Sequence, residues 1–155
     1  MANKYLYLIA FILACEMAGV IGSVFTSESV STWYLTIEKP DFNPPSWVFA
    51  PVWTTLYALM GISAYLVFIS GKKESFFALA VFGLQLFLNT LWSFAFFGLQ
   101  SPFLGLIIIV LLWCAILGTI YTFFKISRKA AYLLVPYILW VSFAMVLNYS
   151  IWMLN

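Results

Sequence analysis

The sequence predicts an all-α integral membrane protein: a five-transmembrane-helix bundle with a long first loop acting as a lid. Three observations carry this reading. Of the 155 residues, 65% are hydrophobic and only 8% are charged, whereas a soluble domain carries about 25% charged residues. The mean hydropathy is +1.06. The apolar residues also fall into five runs, each close to the roughly 20 residues that one helix needs to cross a bilayer. So few charges cannot clothe a water-soluble globule, and the same composition excludes a disordered chain. The runs are too long for barrel strands and lack their alternation.

The runs are read as one domain, 1–155, with spans at about 5–25, 46–70, 76–98, 103–124 and 130–154. The first is interrupted only by Glu16. An apolar stretch of this length with an internal carboxylate reads as a retained span and not as a cleaved leader. Ala14, Ala18 and Gly22 form a small-residue stripe. Such a stripe admits close approach of another helix, within the chain or between chains. Glu16 is the one ionisable residue deep in a span, which points either to function or to a carboxyl bonded to a neighbouring helix.

The second span is approached through Pro44 and Pro45, which hold the chain extended. Ser46 is placed to cap it, and Pro51 lies early, where a missing N–H costs little. Trp47 and Trp53 fall near the loop side, where Trp47 serves equally well in an interfacial aromatic belt. On the third span, Gln85, Asn89, Trp92, Ser93 and Phe96 share one helical face. Amides in lipid are costly unless paired, so this face turns inward, as glue between helices or as the polar end of an aromatic pocket. The fourth span follows the tight turn at 99–102. On the fifth, Pro136, Trp140, Ala144, Leu147 and Asn148 follow helical spacing. Pro136, inside the span, can bend it. Ala144 leaves room for a flat ligand or simply packs beside the kink.

The connection 26–45 is long for a compact protein. It contains Trp33, Tyr34 and Phe42, so it is expected to pack as a lid. With five spans, Lys4, Lys72, Lys73, Lys125, Arg128 and Lys129 share one side, and Lys39 stands alone on the other. In an inner membrane this asymmetry predicts a cytoplasmic N-terminus. The net charge of +2 offers no basic stripe for nucleic acid. Histidine is absent and Cys15 and Cys114 stand in separate apolar runs, so no metal site or disulfide framework is expected. No internal repeat supports an inverted-repeat transporter.

The segment Trp33-Tyr34-Leu35-Thr36-Ile37-Glu38-Lys39-Pro40, then Pro44-Pro45-Ser46-Trp47-Val48-Phe49, Pro51-Val52-Trp53 and Leu56-Tyr57 through Met60-Gly61, resembles the translocator protein family. These are the tryptophan-rich sensory proteins, also called peripheral-type benzodiazepine receptors. The likeness continues at Gln85-Leu86, Leu88-Asn89, Trp92-Ser93 and Phe96-Phe97-Gly98. It returns at Pro136-Tyr137, Trp140, Phe143-Ala144 and Leu147-Asn148-Tyr149. The resemblance implies a five-helix bundle, often a homodimer through its third helix. It also implies a lid-covered pocket for porphyrins and isoquinoline or benzodiazepine-type drugs. The pocket residues it implies are Trp47, Trp53, Gln85, Asn89, Trp92, Trp140, Ala144 and Leu147, with lid residues Trp33, Tyr34, Lys39, Pro40, Pro44 and Pro45.

The leading expectation is therefore a sensor, scavenger or translocator of tetrapyrroles, with protoporphyrin IX or haem as ligand and no covalently bound cofactor. Stacked indoles suit a flat π-system, and Lys39 is placed to neutralise a propionate. A second expectation makes the porphyrin a substrate, degraded by light and oxygen, with Trp53 and Trp140 as the catalytic indoles. A third is a proton-coupled exporter using Glu16, against which the span count and the long loop argue. A sterol pattern begins at Leu147, Asn148 and Tyr149, but no basic residue closes it. Sterol binding is expected to be weak.

Overall fold

The computed structural model describes residues 2–155, and the described residues are helical wherever they are regular. The first helix, α1 (Ala2–Ser31), has 30 residues, or about 45 Å at 1.5 Å per residue. It outruns the expected end near residue 25, and the hydroxyls of its polar tail bond the preceding turn. Thr26 Oγ1 donates to Gly22 O at 3.1 Å, Ser27 Oγ to Ser23 O at 2.6 Å and Thr32 Oγ1 to Glu28 O at 2.7 Å. Hydroxyls satisfied in this way are accommodated in a helix without leaving an unpaired polar group. The 26–45 connection is thus helical at its start, and it holds a further helical turn, α2 (Trp33–Thr36).

A 3₁₀ turn at Ser46–Val48 leads into α3 (Phe49–Phe68). Pro45 occupies the cap position, and no side chain makes the capping bond expected of Ser46. Next come α4 (Ser75–Ser93), continued by a π-helical turn at Phe94–Gly98, and α5 (Pro102–Ile126). The last span is divided into α6 (Arg128–Leu133) and α7 (Val135–Leu154). Pro136 marks this division of the span. It sits in the first turn of α7, where the missing N–H has no intrahelical partner to lose. Ser101 and Ser127 cap α5 and α6 by accepting the Leu104 and Ala130 N–H groups, each at 3.3 Å. Five helices are long and apolar enough to cross a membrane.

The core runs between α3, α5 and α7 through Met60, Ala64, Val67, Ile109, Ile116 and Val141, all essentially sealed. Outward faces are apolar too, with Phe76, Phe87 and Leu139 largely exposed. That pattern suits lipid contact on every side of a bundle. Glycine sets the closest helix approach. A Cβ on Gly61 would stand 2.5 Å from the Ile12 Cα, so α1 and α3 meet backbone to backbone. Tyr7 and Phe68 pack 5.3 Å apart just below, placing the start of α1 beside the end of α3. Lys72 Nζ donates to Ile126 O at 2.9 Å, which brings the α3–α4 and α5–α6 turns together at that same end.

Gly61→Ala should destabilise the protein by about 1–3 kcal/mol, because the clash is with backbone that cannot rotate away. Gly118→Ala, whose Cβ would meet only Val81 Cγ1 at an ordinary 3.7 Å, should be neutral or slightly stabilising. Thermal unfolding in detergent reads both. Equal midpoints for the two variants would show that α1 and α3 do not meet at Gly61.

Candidate ligand cavity

Above Gly61, α1 and α3 stay in contact as far as Gly19, where a Cβ would lie 2.5 Å from the Tyr57 ring. Beyond that point they part. The space between them is a cavity of about 450 Å³, closed by α1, α3, the end of α4 and α7, with Tyr34 of α2 lining its lid side. That volume lies in the range of small-molecule sites. Val20 and Ser23 of α1 and Ala50 and Thr54 of α3 line the cavity yet are exposed, so the cavity opens sideways between these helices.

The walls are aromatic. Trp53 stacks on Tyr57 at 5.6 Å and leans on Trp92 at 6.5 Å. Trp92 stacks on Phe96 at 5.6 Å, and Phe49 meets Trp140 edge-on at 6.0 Å. The π turn carries one extra residue per turn, closed by Leu99 N–H donating to Phe94 O at 2.8 Å. Phe96 and Phe97, adjacent in this wider turn, both reach the cavity. Ala144 and Leu147 line the α7 side. Trp92 Nε1 donates to Asn148 Oδ1 at 3.0 Å, and Asn148 Nδ2 donates to Pro102 O at 2.7 Å. The Trp140 N–H is buried without a partner.

Gln85 and Asn89 do not line the cavity, contrary to the expectation that they contact ligand. Both are 1% exposed and lie in the floor beneath it. Tyr57 Oη donates to Asn89 Oδ1. Asn89 Nδ2 donates to Tyr137 Oη at 2.8 Å, and Tyr137 Oη donates to Gln85 Oε1 at 2.8 Å. Gln85 Nε2 reaches Met60 Sδ at 3.7 Å. The face of the third span does turn inward, and its amides bond tyrosines from α3 and α7. These two tyrosines were missed by sequence reasoning, because a tyrosine in an apolar run carries no polar periodicity of its own. Trp47 is 75% exposed on the 3₁₀ turn and lies outside the cavity.

The lid is packed and stapled. Trp33 and Tyr34 lie against Phe96, and Tyr34 also against Phe97. Tyr34 Oη donates to Asn43 Oδ1 at 2.8 Å. Burial pushes this phenol up to about 12, against the opposing pull of the Asn43 bond. Asn43 N–H donates to Pro40 O at 2.9 Å, turning the chain into Pro44 and the extended Pro45. Lys39 does not point a free charge into the cavity. Its ammonium donates to Tyr34 O at 2.6 Å and Ile37 O at 2.7 Å and sits over the Tyr34 ring. Asn155 clasps the lid to the end of α7. Its amide accepts from Glu38 N–H and donates to Glu38 O, each at 3.0 Å.

Residues 11–153 match the TspO/MBR family. The chain belongs to this family. It is 47% identical to the tryptophan-rich protein TspO of Archaeoglobus fulgidus, over 97% of both chains. It is 45% identical to the tryptophan-rich protein TspO of Chlorobaculum tepidum, over 99% of both. With the human translocator protein it shares 36% identity, over 98% of this chain and 92% of that one. The protein is thus a multi-pass TspO/MBR membrane protein, and the family match encloses every residue that lines the cavity. Asn155 lies beyond the matched range.

Asn155→Ala should loosen the lid. Losing two hydrogen bonds to Glu38 worth roughly 1 kcal/mol each predicts about thirtyfold faster amide exchange. Hydrogen–deuterium exchange over residues 33–45 reads this directly. Unchanged exchange would mean that aromatic packing alone holds the lid.

Proposed function

We propose that the cavity binds tetrapyrroles such as protoporphyrin IX or haem, and isoquinoline or benzodiazepine-type molecules, and that the protein acts as their sensor, scavenger or translocator. The observation that carries this reading is the set of three indoles, Trp53, Trp92 and Trp140, lining one cavity beneath a packed lid. Indole faces suit a broad flat π-system, and the side opening between α1 and α3 lets a large ring extend past the walls. The family relationship supports the same reading. Leu147 is buried and Tyr149 is 49% exposed, so the two sterol-pattern residues do not share a cleft, and we expect cholesterol to bind weakly.

A second reading treats the porphyrin as a substrate for light- and oxygen-dependent degradation, favoured by Trp53 and Trp140 lining the same cavity from the neighbouring helices α3 and α7. Titration of purified protein with protoporphyrin, in the dark and under light, separates the two. Binding alone gives saturable tryptophan quenching with stable porphyrin absorbance, while catalysis gives bleaching and a distinct product. Trp53→Phe and Trp140→Phe should each weaken dark affinity by about 0.5–1.5 kcal/mol through altered stacking. Bleaching, if present, should fall much further, because phenylalanine lacks the oxidisable indole. Cholesterol should displace protoporphyrin poorly. Absence of saturable quenching in the wild type would overturn the proposal.

We further propose that the N-terminus is cytoplasmic in an inner membrane, from the distribution of Lys and Arg. A homodimer through α4 is supported by its exposed face of Phe76, Gly83 and Phe87, with open space beside Gly83. Cysteine mapping in a Cys-free background tests both. Asp41→Cys should label from outside and Lys73→Cys from inside, and Gly83→Cys should cross-link between copies. Labelling of the first two from one side would refute the topology, and a monomeric Gly83→Cys would refute the interface.

A further inference from the structure

The cavity wall carries one charge. Of the five acidic residues only Glu16 lines it, and none of the seven basic residues does. Six of those cations lie on the first turn of α1, at the opposite-end turns or in α6, and Lys39 is bound into the lid. Glu16 marks the deep end. The α1 wall runs from Glu16 to Val30, about 21 Å of helix, with the lid at its far end.

The carboxylate is also unengaged. No hydrogen bond or ion pair holds it among the described residues. The donors nearest along the walls are committed elsewhere. Ser23, Thr26 and Ser27 bond their own helix at Val20 O, Gly22 O and Ser23 O. Thr54 bonds Ala50 O, and Tyr57 Oη is held by Asn89. Beside Glu16, one turn along the same face, the absent Cβ of Gly19 lets the Tyr57 ring lie against α1, and Trp53 stacks on that ring. A half-buried carboxylate at the end of an aromatic wall is a recognition set for a flat molecule bearing an ammonium group: the carboxylate pairs with the charge and the wall takes the ring. The same charge repels a carboxylate.

We propose that Glu16 makes the deep end of the cavity a receptor for lipophilic amines, flat aromatic molecules bearing a protonated nitrogen. This rests on the reading of the cavity as a site for flat aromatic ligands. It orients a porphyrin as well: the propionates lie toward the lid and the apolar ring edge toward Glu16.

The test uses three pyrene probes of one shape: pyrenemethylamine, pyrenemethanol and pyreneacetic acid. Binding to the full chain in phosphatidylcholine nanodiscs is followed by energy transfer from tryptophan, with empty discs as the partition control. The wild type should bind the amine about tenfold tighter than the alcohol, and the acid weakest, as expected for a partly desolvated charge pair. Glu16→Gln should erase the amine preference while leaving the alcohol within about twofold, since an uncharged probe forms no such pair. Glu16→Asp should retain part of it. Protoporphyrin quenching of the same variants reports whether the cavity is intact. Equal affinity for amine and alcohol in the wild type overturns the proposal, as does a preference that survives in Glu16→Gln. So does failure of every pyrene probe where protoporphyrin binds. Glu16-dependent amine binding without protoporphyrin binding upholds it and sinks the tetrapyrrole reading instead.

Discussion

Tyr57, Asn89, Tyr137 and Gln85 form one buried hydrogen-bonded chain across α3, α4 and α7, and the cavity depends on it. In an apolar bundle each of these groups left unpaired costs roughly 1–3 kcal/mol. Each helix can therefore slide or rotate only by breaking bonds that no water is there to replace. The chain fixes the spacing of three helices at mid-height. Above it, the aromatic side chains of the same helices are held apart as walls. Asn148 does the same one level up, joining Trp92 to the α4–α5 turn, with Gly105 letting α5 close onto both Asn148 and Phe96.

The fourth wall is held differently. Helix α1 packs on α3 through glycine contacts at Gly61 and Gly19, and a single side-chain hydrogen bond, Thr90 Oγ1 to Ala18 O at 3.3 Å, ties it to α4. A surface held by one directional bond slides more easily than one held by a bonded chain. This makes the α1 side the compliant wall, and it is the side where the cavity opens. The lid differs again. It is tied by aromatic stacking, by Lys39 bonding its own backbone and by the Asn155 clasp, all short-range and all at the mouth. Floor, side opening and lid thus have different mechanical characters, which is what a site needs to keep its shape while exchanging a rigid ligand.

Much of this was legible in the sequence. Five spans follow from composition and length, and the inward turn of Gln85, Asn89 and Trp92 follows from the cost of bare amides in lipid. The partners of those amides were not legible. Tyr57 and Tyr137 stand in apolar runs where a tyrosine equally faces lipid, and only the bundle brings them to Asn89. Trp47 and Trp53 both read as pocket residues, yet the 3₁₀ turn after Pro45 throws Trp47 outward while α3 carries Trp53 inward. The end of α1 was misplaced because serine and threonine look like loop until their hydroxyls are seen bonding the preceding turn. Lys39 read as a free cation because nothing local announces that its ammonium folds back onto Tyr34 O and Ile37 O. Glu16 was legible as an anomaly, and only the parting of α1 from α3 gives it a cavity to face.

The polar floor holds the aromatic cavity in shape, and the flat ligand proposed for it is best sought in a crystal structure with protoporphyrin bound. The macrocycle should lie between α1, α3, α4 and α7 against Trp53, Trp92 and Trp140, with Asn89 and Gln85 still bonded to Tyr57 and Tyr137 beneath it. A macrocycle seated on the outer, lipid-facing surface would contradict the account. So would one whose binding pulls Asn89 or Gln85 away from the tyrosines to contact the ligand.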